Sequence, residues 1–470
     1  MNIIQPSRIS FWRFFLFIIS LLPFLSIWQS INLARTLEID IPARTSWMGL
    51  IAGLCVLGLI PLLAWTLTWS RFEERLLALI ESPEHLIKKF PFIGWILIVI
   101  STTGFTAVFM FPPVRNLFGG EVWIRLLIFW YFSLTGLYAI RTIWRETAWF
   151  TSFLAIVLFQ TTFHLLAVQF SHVTSYPFAM GWSETSRYYY PSLFLSKMVY
   201  GQEYSLPILH PTLHLLLAPP YLVSAPLWVH RFWQVTIRLI LVGAIVPGMM
   251  KRLSTQEKPT RSLVTLGMLL YLFMGPLYFH LAVPVIILMY GFSNDENRKT
   301  WIVVLFASIW CGWSRVNWYP VPGMIAALLY LLEVPFNGKS VWGYLVKPAL
   351  WFMVGASTAF ISQRIYIAIS GVPPELFYTS LSSDLLWYRL FPNASYQLGI
   401  LPSVVLASFS IWLVIYLVLR GRVNNFHPVR LLFIFAALLV LFLGGLVVSL
   451  KIGGGADLHN MDAYFVLLLI

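Results

Sequence analysis

The sequence predicts an all-α fold: a polytopic bundle of about 13 to 14 transmembrane helices with juxtamembrane helices on its external side. Of the 470 residues, 59% are hydrophobic and only 10% are charged, whereas about a quarter of an ordinary soluble domain is charged. The mean hydropathy is +0.79, and apolar stretches of about 20 residues, enough to cross roughly 30 Å of hydrocarbon, recur along the chain. These observations exclude a soluble, disordered, collagen-like or coiled-coil protein.

The net charge of +13 would suggest a nucleic-acid partner in a soluble protein, but the chain has no polybasic run. Lys and Arg are instead expected in the cytoplasmic connections of a membrane protein. Membrane lipids are therefore the expected surroundings, and no nucleic-acid partner is predicted. The two cysteines, Cys55 and Cys311, lie in separate apolar segments and predict neither a disulfide framework nor a metal site.

The predicted spans can be assigned in chain order from the apolar stretches. The first, 11–33, is too long for the apolar region of a signal peptide and has no small-residue cleavage site, so we interpret it as a retained anchor. The spans are 11–33, 47–69, 92–111, 122–140, 148–170, 232–250, 262–278, 281–292, 301–313, 318–332, 346–366, 399–419, 431–450 and a last one from residue 461.

The orientation follows from basic residues in the second and fourth connections. These are Arg71, Arg75, Lys88, Lys89, Arg141 and Arg145. They place the N-terminus in the cytoplasm and the segment after residue 170 outside. The stretch 213–229 contains Pro219, Pro220 and Pro226, and treating it as a surface or re-entrant helix keeps all later basic clusters inside.

Two pairs of short predicted spans form hairpins, with tips near Phe279 and His280 and near Arg315. They are too short to cross fully, so we expect the tips to line a cavity below the outer surface. We divide the chain into N-terminal transmembrane helices, 1–147, and a transmembrane core with external loops, 148–470. The last apolar run is only about half a crossing long, and we expect the sequence to be a fragment with a truncated C-terminus.

The segment from Ser171 to about Pro211 is predicted to be the main external loop. Within it, Ser183 can cap a helix starting at Glu184, with Arg187 one turn later on the same face. His210 precedes Pro211, a favourable first residue for a second surface helix that carries His214. The loop therefore predicts two surface helices.

Two external segments, GWSETSRYYYPS (181–192) and KIGGGADLHNMD (451–462), resemble loops of the GT-C superfamily of polytopic glycosyltransferases. That superfamily includes protein O-mannosyltransferases and lipid A aminoarabinose transferases, and the resemblance covers the chain from about residue 148 to its end. It implies an essential acidic residue in a large external loop, here Glu184, followed by juxtamembrane helices. It also implies inverting transfer of a sugar from a polyprenyl-phosphate-linked donor to a lipid or glycan acceptor.

Glu184 is the predicted catalytic base, because glycosyl transfer needs a group that deprotonates the acceptor. Trp182 and the tyrosines Tyr188 to Tyr190 would desolvate the carboxylate and raise its pKa. The alternative interpretation is that Glu184 favours a helix N-terminus and pairs with Arg187.

Arg315, in the hairpin segment CGWSRVNWYP, is a candidate for binding the donor phosphate, and snorkelling to the interface is the alternative. Lys451, next to a glycine-rich segment, and Arg187 are further phosphate candidates. Residues expected to line the substrate site are His172, Trp182, Tyr188, His210, Asp457 and His459.

No cofactor is predicted. The external histidines and Asp457 lack the tight spacing of a metal motif, although a divalent metal stays an alternative. The predicted function is glycosyl transfer at the external face, with a bacterial plasma membrane as the expected location and the N-terminus inside. The alternatives are a transporter or flippase of lipid-linked saccharides, which usually shows internal repeats and charges at mid-membrane, and a non-catalytic assembly subunit.

Overall fold

The computed structural model describes residues 7–144, 147–181, 183–253, 258–274, 277–336, 338, 340–377, 382–393, 398–420, 426–452 and 458–470. These residues form nineteen α-helices and no β-strand. The predicted all-α class is confirmed. The chain forms two compact units. The first comprises Met1–Val168 and Glu257–Leu263, and the second comprises Gln169–Gln256 and Val264–Ile470. The sequence analysis suggests a boundary after residue 147 instead.

The first unit contains seven helices around an aromatic core. They are α1 (Arg8–Thr36), α2 (Thr45–Leu67), α3 (Glu73–Lys88), α4 (Pro91–Met110), α5 (Pro112–Phe118), α6 (Val122–Ile143) and α7 (Trp149–Ser171). Trp12 of α1 packs edge-on against Trp149 of α7, with ring centroids 4.9 Å apart. Glu84 of α3 is buried and pairs with Lys88 at 2.7 Å and with Arg141 of α6 at 3.2 Å. These ion pairs anchor the short helix α3, which the sequence leaves as a connection.

The second unit contains the remaining twelve helices, although the start of α12, up to Leu263, belongs to the first unit. They are α8 (Ser186–Leu193), α9 (Ser196–Tyr200), α10 (Pro211–Leu217), α11 (Leu227–Met250), α12 (Lys258–Met274), α13 (Ala282–Gly291), α14 (Asn297–Gly312), α15 (Val321–Glu333), α16 (Val341–Ser370), α17 (Ile400–Arg420), α18 (Pro428–Ile452) and α19 (Asp462–Leu469). Its apolar core includes buried residues of α11, α13, α14, α15 and α19.

Nine helices of the described chain are long and apolar enough to cross a membrane: α1, α2, α4, α6, α7, α11, α16, α17 and α18. The protein is therefore described as a multi-pass membrane protein. The other five predicted spans correspond to α12 to α15 and α19, of which the longest has 17 residues. At 1.5 Å per residue a helix of that length is about 25 Å long, less than the hydrocarbon core.

The stretch 213–229 does not form one helix. Helix α10 has only seven residues, a 3₁₀ turn over Pro219–Val223 follows, and α11 begins at Leu227. Ser224 separates the last two with a left-handed backbone, φ 46°. The prolines interrupt the helix as predicted, and a seven-residue helix is far too short to cross a bilayer.

The tips of the two short hairpins contain 3₁₀ turns, Phe279–Leu281 between α12 and α13, and Val316–Trp318 between α14 and α15. The first turn is buried throughout, whereas in the second only Trp318 is buried and Val316 is exposed. His280 and Trp318 are both 0% exposed. The tips therefore bring polar side chains into the interior of the second unit, where the candidate site is found.

Candidate functional site

The turn that carries Glu184 comes just before helix α8. Ser183 has a left-handed backbone, φ 62°, and α8 begins at Ser186. The prediction that Ser183 caps a helix starting at Glu184 is therefore wrong. The Glu184 carboxylate turns back and accepts a hydrogen bond from the backbone N–H of Met180, which stabilises a turn instead of the first turn of a helix.

Arg231, in the first turns of α11, holds this turn through its guanidinium group. Its Nε donates to Glu184 Oε1 at 2.9 Å, and Nη1 donates to the carbonyls of Thr174 at 2.7 Å and Tyr176 at 2.8 Å. Nη2 donates to the carbonyl of Phe178 at 3.1 Å. The side chains of Arg231 and Glu184 are only 3% and 14% exposed. One arginine therefore fixes both the acidic side chain and the loop that precedes it.

The electrostatic environment of Glu184 differs from the prediction. Burial acts to raise the pKa of its carboxyl, but hydrogen bonds from the backbone of Met180, from Arg231 and from Tyr188 outweigh burial and hold the pKa below its usual value. The predicted raised pKa is wrong, because the donors that surround the carboxylate stabilise its charged form. Tyr188 donates to Glu184 Oε1 at 2.9 Å, and burial together with this contact raises the pKa of Tyr188.

Arg187 does not pair with Glu184. It is half-buried at the start of α8, and the described residues offer it no ion pair. Its charge acts on Arg238 of α11 and on His214 of α10. Arg238 likewise has no ion pair in the described chain; it donates to Gln169 Oε1 at 3.3 Å and to the carbonyl of Phe273 at 2.8 Å. Arg187 follows Glu184 by three residues, and Arg231, which holds Glu184, precedes Arg238 by two turns of α11. The two positive charges therefore belong to segments that are held together, without a described carboxylate to neutralise either.

A second polar group surrounds the tip of the α14–α15 hairpin. Arg315 forms an ion pair of 3.0 Å with Asp462, and the two side chains are 8% and 0% exposed. Its Nη1 also donates to the carbonyl of His459 at 2.8 Å, and its Nη2 donates to Asn460 Oδ1 at 2.6 Å. Asp462 Oδ1 accepts from Trp318 Nε1 at 2.8 Å. The buried pair is therefore well supplied with hydrogen bonds, as a buried ion pair needs to be.

The snorkelling interpretation of Arg315 is wrong, because the guanidinium is buried against Asp462 instead of reaching an interface. Its role as a phosphate ligand stays a prediction. The carboxylate of Asp462 already neutralises it, so an incoming phosphate would meet a pair with little net charge.

Histidines connect the two polar groups. The rings of His210 and His280 have centroids 5.5 Å apart, and the ring of Tyr278 lies 5.0 Å from that of His210 and 5.3 Å from that of His459. Burial, followed by the charge of Arg315, holds the pKa of His210 well below its usual value. The pKa of His214 falls to about 4, through burial and the charge of Arg187. These two imidazoles are therefore neutral near pH 7.

Several buried ring nitrogens in this row have no hydrogen-bond partner within the described chain: both nitrogens of His280, and Nδ1 of His210 and of His214. Leaving a buried polar atom unpaired costs about 1 to 3 kcal/mol. His210 also has a left-handed backbone, φ 50°. Strain and unpaired polar atoms at one place are typical of functional sites.

The structure brings together some of the predicted site residues. Glu184 and Tyr188 share the Arg231 turn, and Arg187, His210, Arg315 and His459 belong to the groups joined by the histidines. His172 is exposed after α7, and Lys451 is half-buried in the last turn of α18. Trp182 and Asp457 lie outside the described residues.

The described residues contain no metal centre, and a cleft in the second unit has an apolar lining. The described residues contain no group of three or more His, Cys, Asp or Glu that could hold a metal ion. A cleft of about 260 Å³ between α15, α16 and α18 is lined by apolar side chains such as Leu328, Pro348 and Phe433. It offers no polar group for chemistry.

Sequence reasoning missed Arg231, Arg238 and Asp462, and it placed His280 only at a hairpin tip expected to line a cavity. Arg231 and Arg238 lie seven residues apart in an apolar helix, so they share one helix face two turns apart. Ionisable residues are rare in such helices and usually functional, and this signal could have identified both arginines. His280 and Asp462 carry no comparable local signal.

The fold and the polar site together define a polytopic helical membrane protein whose second unit contains buried charged residues and histidines. Comparisons with protein-family models, with curated proteins and with solved structures find no match for the chain.

Proposed function

We propose that this protein is a membrane-embedded glycosyltransferase, similar to the GT-C superfamily, that moves a sugar from a polyprenyl-phosphate-linked donor to a lipid or glycan acceptor at the external face. The proposal includes a bacterial plasma membrane and a cytoplasmic N-terminus. The observation that carries it is that Arg187 and Arg238, on segments joined by the Glu184–Arg231 ion pair, have no described ion pair of their own. Such a pair favours an anion, and Arg suits the oxygens of a phosphate.

The position of this arginine pair supports a phosphate attached to a lipid. Arg238 lies in α11, one of the nine long apolar helices, and Arg187 lies in the short helix α8 that follows the loop. A polyprenyl phosphate offers a charged group at the edge of the hydrocarbon and an apolar tail within it. Positive charge next to the leaving phosphate would stabilise the negative charge that develops as the sugar departs.

Glu184 is our candidate for the base. Its lowered pKa keeps the carboxylate ionised at neutral pH, as a base requires. A carboxylate has about four lone-pair sites, and Oε2 accepts from Met180 alone among the described donors, so that oxygen retains a site for an acceptor hydroxyl. In the proposed step the acceptor oxygen transfers its proton to Glu184 and attacks the anomeric carbon. The bond from that carbon to the phosphate oxygen breaks, and the polyprenyl phosphate leaves with both electrons.

The test is donor binding and transfer by the full chain in nanodiscs, with undecaprenyl-phosphate mannose, glucose and galactose as donors. Arg187→Met should weaken donor binding about tenfold or more, because a charge-assisted phosphate contact is worth about 1.5 to 3 kcal/mol. The matched control is Lys197→Met, an exposed cation in the same loop, which should bind as the wild type does. Equal affinity of the Arg187→Met variant would remove the support for the arginine pair as the phosphate site.

A transporter or flippase of lipid-linked saccharides is the competing class. It would bind the same donor but would move it without cleaving it. Release of undecaprenyl phosphate from the donor in the presence of native membranes, as a source of acceptors, separates the two classes. Binding and lipid translocation without release would support the transporter.

A further inference from the structure

Two histidines with buried ring nitrogens, His210 and His280, take no part in the proposed step. His280 is 0% exposed, and neither of its ring nitrogens has a hydrogen-bond partner in the described chain. Its main-chain carbonyl accepts from Trp310 Nε1 at 2.8 Å, which fixes the turn that carries the ring. The ring is therefore held in place while its polar atoms stay unpaired.

His210 faces the same position from a different element. Its ring centroid lies 5.5 Å from that of His280, and its buried Nδ1 is also unpaired within the described chain. The segment around His210 is joined to the Arg315 hairpin by a hydrogen bond of 2.6 Å between the hydroxyls of Thr212 and Ser314. Two separate segments thus bring unpaired nitrogens together.

The chemistry of these nitrogens selects a class of ligand. A neutral imidazole offers one donor and one acceptor, and a hydroxyl group also offers one of each. A cation could use only the acceptor nitrogens and an anion only the N–H donors, whereas a hydroxyl group uses both. The site therefore fits an uncharged, hydroxyl-bearing group.

The position of the two histidines relative to Arg187 and Arg238 indicates which molecule carries the hydroxyl group. His214 lies between the two sites: it follows His210 by one turn of α10, and its ring centroid is 5.0 Å from that of Tyr190 in α8, the helix that also carries Arg187. In a lipid-phosphate sugar the saccharide is bonded directly to the phosphate, so it lies next to the cations that hold that phosphate.

We infer that His210 and His280 form the site that hydrogen-bonds the hydroxyl groups of the donor sugar. This inference rests on the proposed function, because it takes the phosphate to lie at Arg187 and Arg238. It assigns the sugar and the phosphate of one donor to two different groups of side chains.

The experiment compares binding of undecaprenyl phosphate with binding of its mannose, glucose and galactose conjugates, using the full chain in nanodiscs. We expect the wild type to bind at least one conjugate about fivefold or more tightly than the bare lipid phosphate, as expected for one or two added hydrogen bonds. His280→Phe retains a ring but no ring nitrogen, and should reduce this gain to less than about twofold while binding of the bare lipid phosphate stays unchanged.

The control is His427→Phe, which alters an exposed histidine other than His210 and His280. This variant should still bind the sugar conjugate more tightly than the bare lipid phosphate, by the same factor as the wild type. His210→Phe is the second variant, and it decides the matter if the His280 variant does not fold. The inference is overturned if the wild type binds no conjugate more tightly than the bare lipid phosphate, which is the result expected if the histidines bind only water. It is also overturned if folded His280→Phe and His210→Phe variants still bind the conjugate more tightly than the bare lipid phosphate, as the wild type does. A chain that does not bind the bare lipid phosphate contradicts the proposed function instead.

Discussion

Arg231 and Glu184 form an ion pair with an Nε to Oε1 distance of 2.9 Å, and both side chains are largely buried. The same guanidinium also binds three backbone carbonyls between Thr174 and Phe178. The pair is therefore more than a local contact, since it ties the acidic turn and the preceding loop to helix α11.

The first prediction concerns the order of that loop. Arg231→Met removes the donors to Thr174, Tyr176 and Phe178, so amide hydrogen exchange over residues 174–184 should become at least about tenfold faster. The measurement is hydrogen–deuterium exchange of the protein in nanodiscs, followed by mass spectrometry. Arg364→Met, at an exposed arginine of α16, should leave exchange in this loop as it is in the wild type. Unchanged exchange in the Arg231→Met variant would show that other contacts order the loop.

The second prediction concerns pH. The pKa of Glu184 is lowered in the folded protein, so the stability that this group contributes is fully present above the ordinary glutamate pKa of about 4.3 and is lost as pH falls through the lower folded value. Without Arg231, burial would act on the carboxyl with fewer opposing hydrogen bonds and raise its pKa. The acid limb of the pH dependence of the transfer rate should therefore move to higher pH in the Arg231→Met variant. An acid limb at the wild-type pH would exclude Glu184 as the group that titrates.

The third prediction concerns catalysis by Glu184. Glu184→Gln keeps the size of the side chain but removes its basicity, so turnover should fall by about a hundredfold or more while donor binding persists. The measurements are transfer rate and donor affinity of the same preparation. Glu203→Gln, at an exposed position in the same loop, should be tolerated. Loss of transfer in the Glu203 variant, with transfer retained by the Glu184 variant, would reassign the base.

The fourth prediction concerns the buried pair of Arg315 and Asp462. Asp462→Asn leaves the Arg315 charge without its partner and should lower the free energy of unfolding by about 3 to 5 kcal/mol. The double variant Arg315→Met with Asp462→Leu removes both charges and should recover much of that loss. Stability is measured by denaturant unfolding in detergent, and Asp295→Asn, at an exposed position, is the control. A single variant as stable as the wild type would contradict a structural role for the pair.

The fifth prediction concerns orientation. In a variant with Cys55 and Cys311 replaced by serine, a cysteine at Thr185 should react with an impermeant thiol reagent added outside intact cells, and one at Asp295 should not. Both positions are exposed, so the difference reports the side of the membrane. Labelling at Asp295 from outside would reverse the predicted topology of the later helices.

The sequence predicts the helical class and most long helices because length and hydropathy are local properties of the chain. It also predicts that Pro211 begins a short helix, which the structure confirms, since proline acts through its own backbone. The setting of Glu184 could not be predicted in the same way. Its main partner is 47 residues away in sequence, and no pattern near Glu184 specifies that contact.

The same reasoning applies to the second polar group. Arg315 stands out in the sequence as a charge at a hairpin tip, but its partner Asp462 comes from a distant helix start and is identified only by the fold. His280 is an ordinary residue of an apolar segment until burial leaves both ring nitrogens without described partners. Long-range packing, which pattern reasoning does not capture, decides both cases.

The separation of Arg315 and Asp462 by 147 residues has a consequence for biosynthesis. Helices enter the membrane in the order of their synthesis, so the α14–α15 hairpin is inserted while its arginine still has no carboxylate partner. The guanidinium must remain hydrated, or be held by lipid phosphates or an insertion factor, until Asp462 has been translated. Ribosomes stalled between the two positions would therefore carry an intermediate whose hairpin tip is still accessible to water, and the arrival of α19 would be the event that seals it.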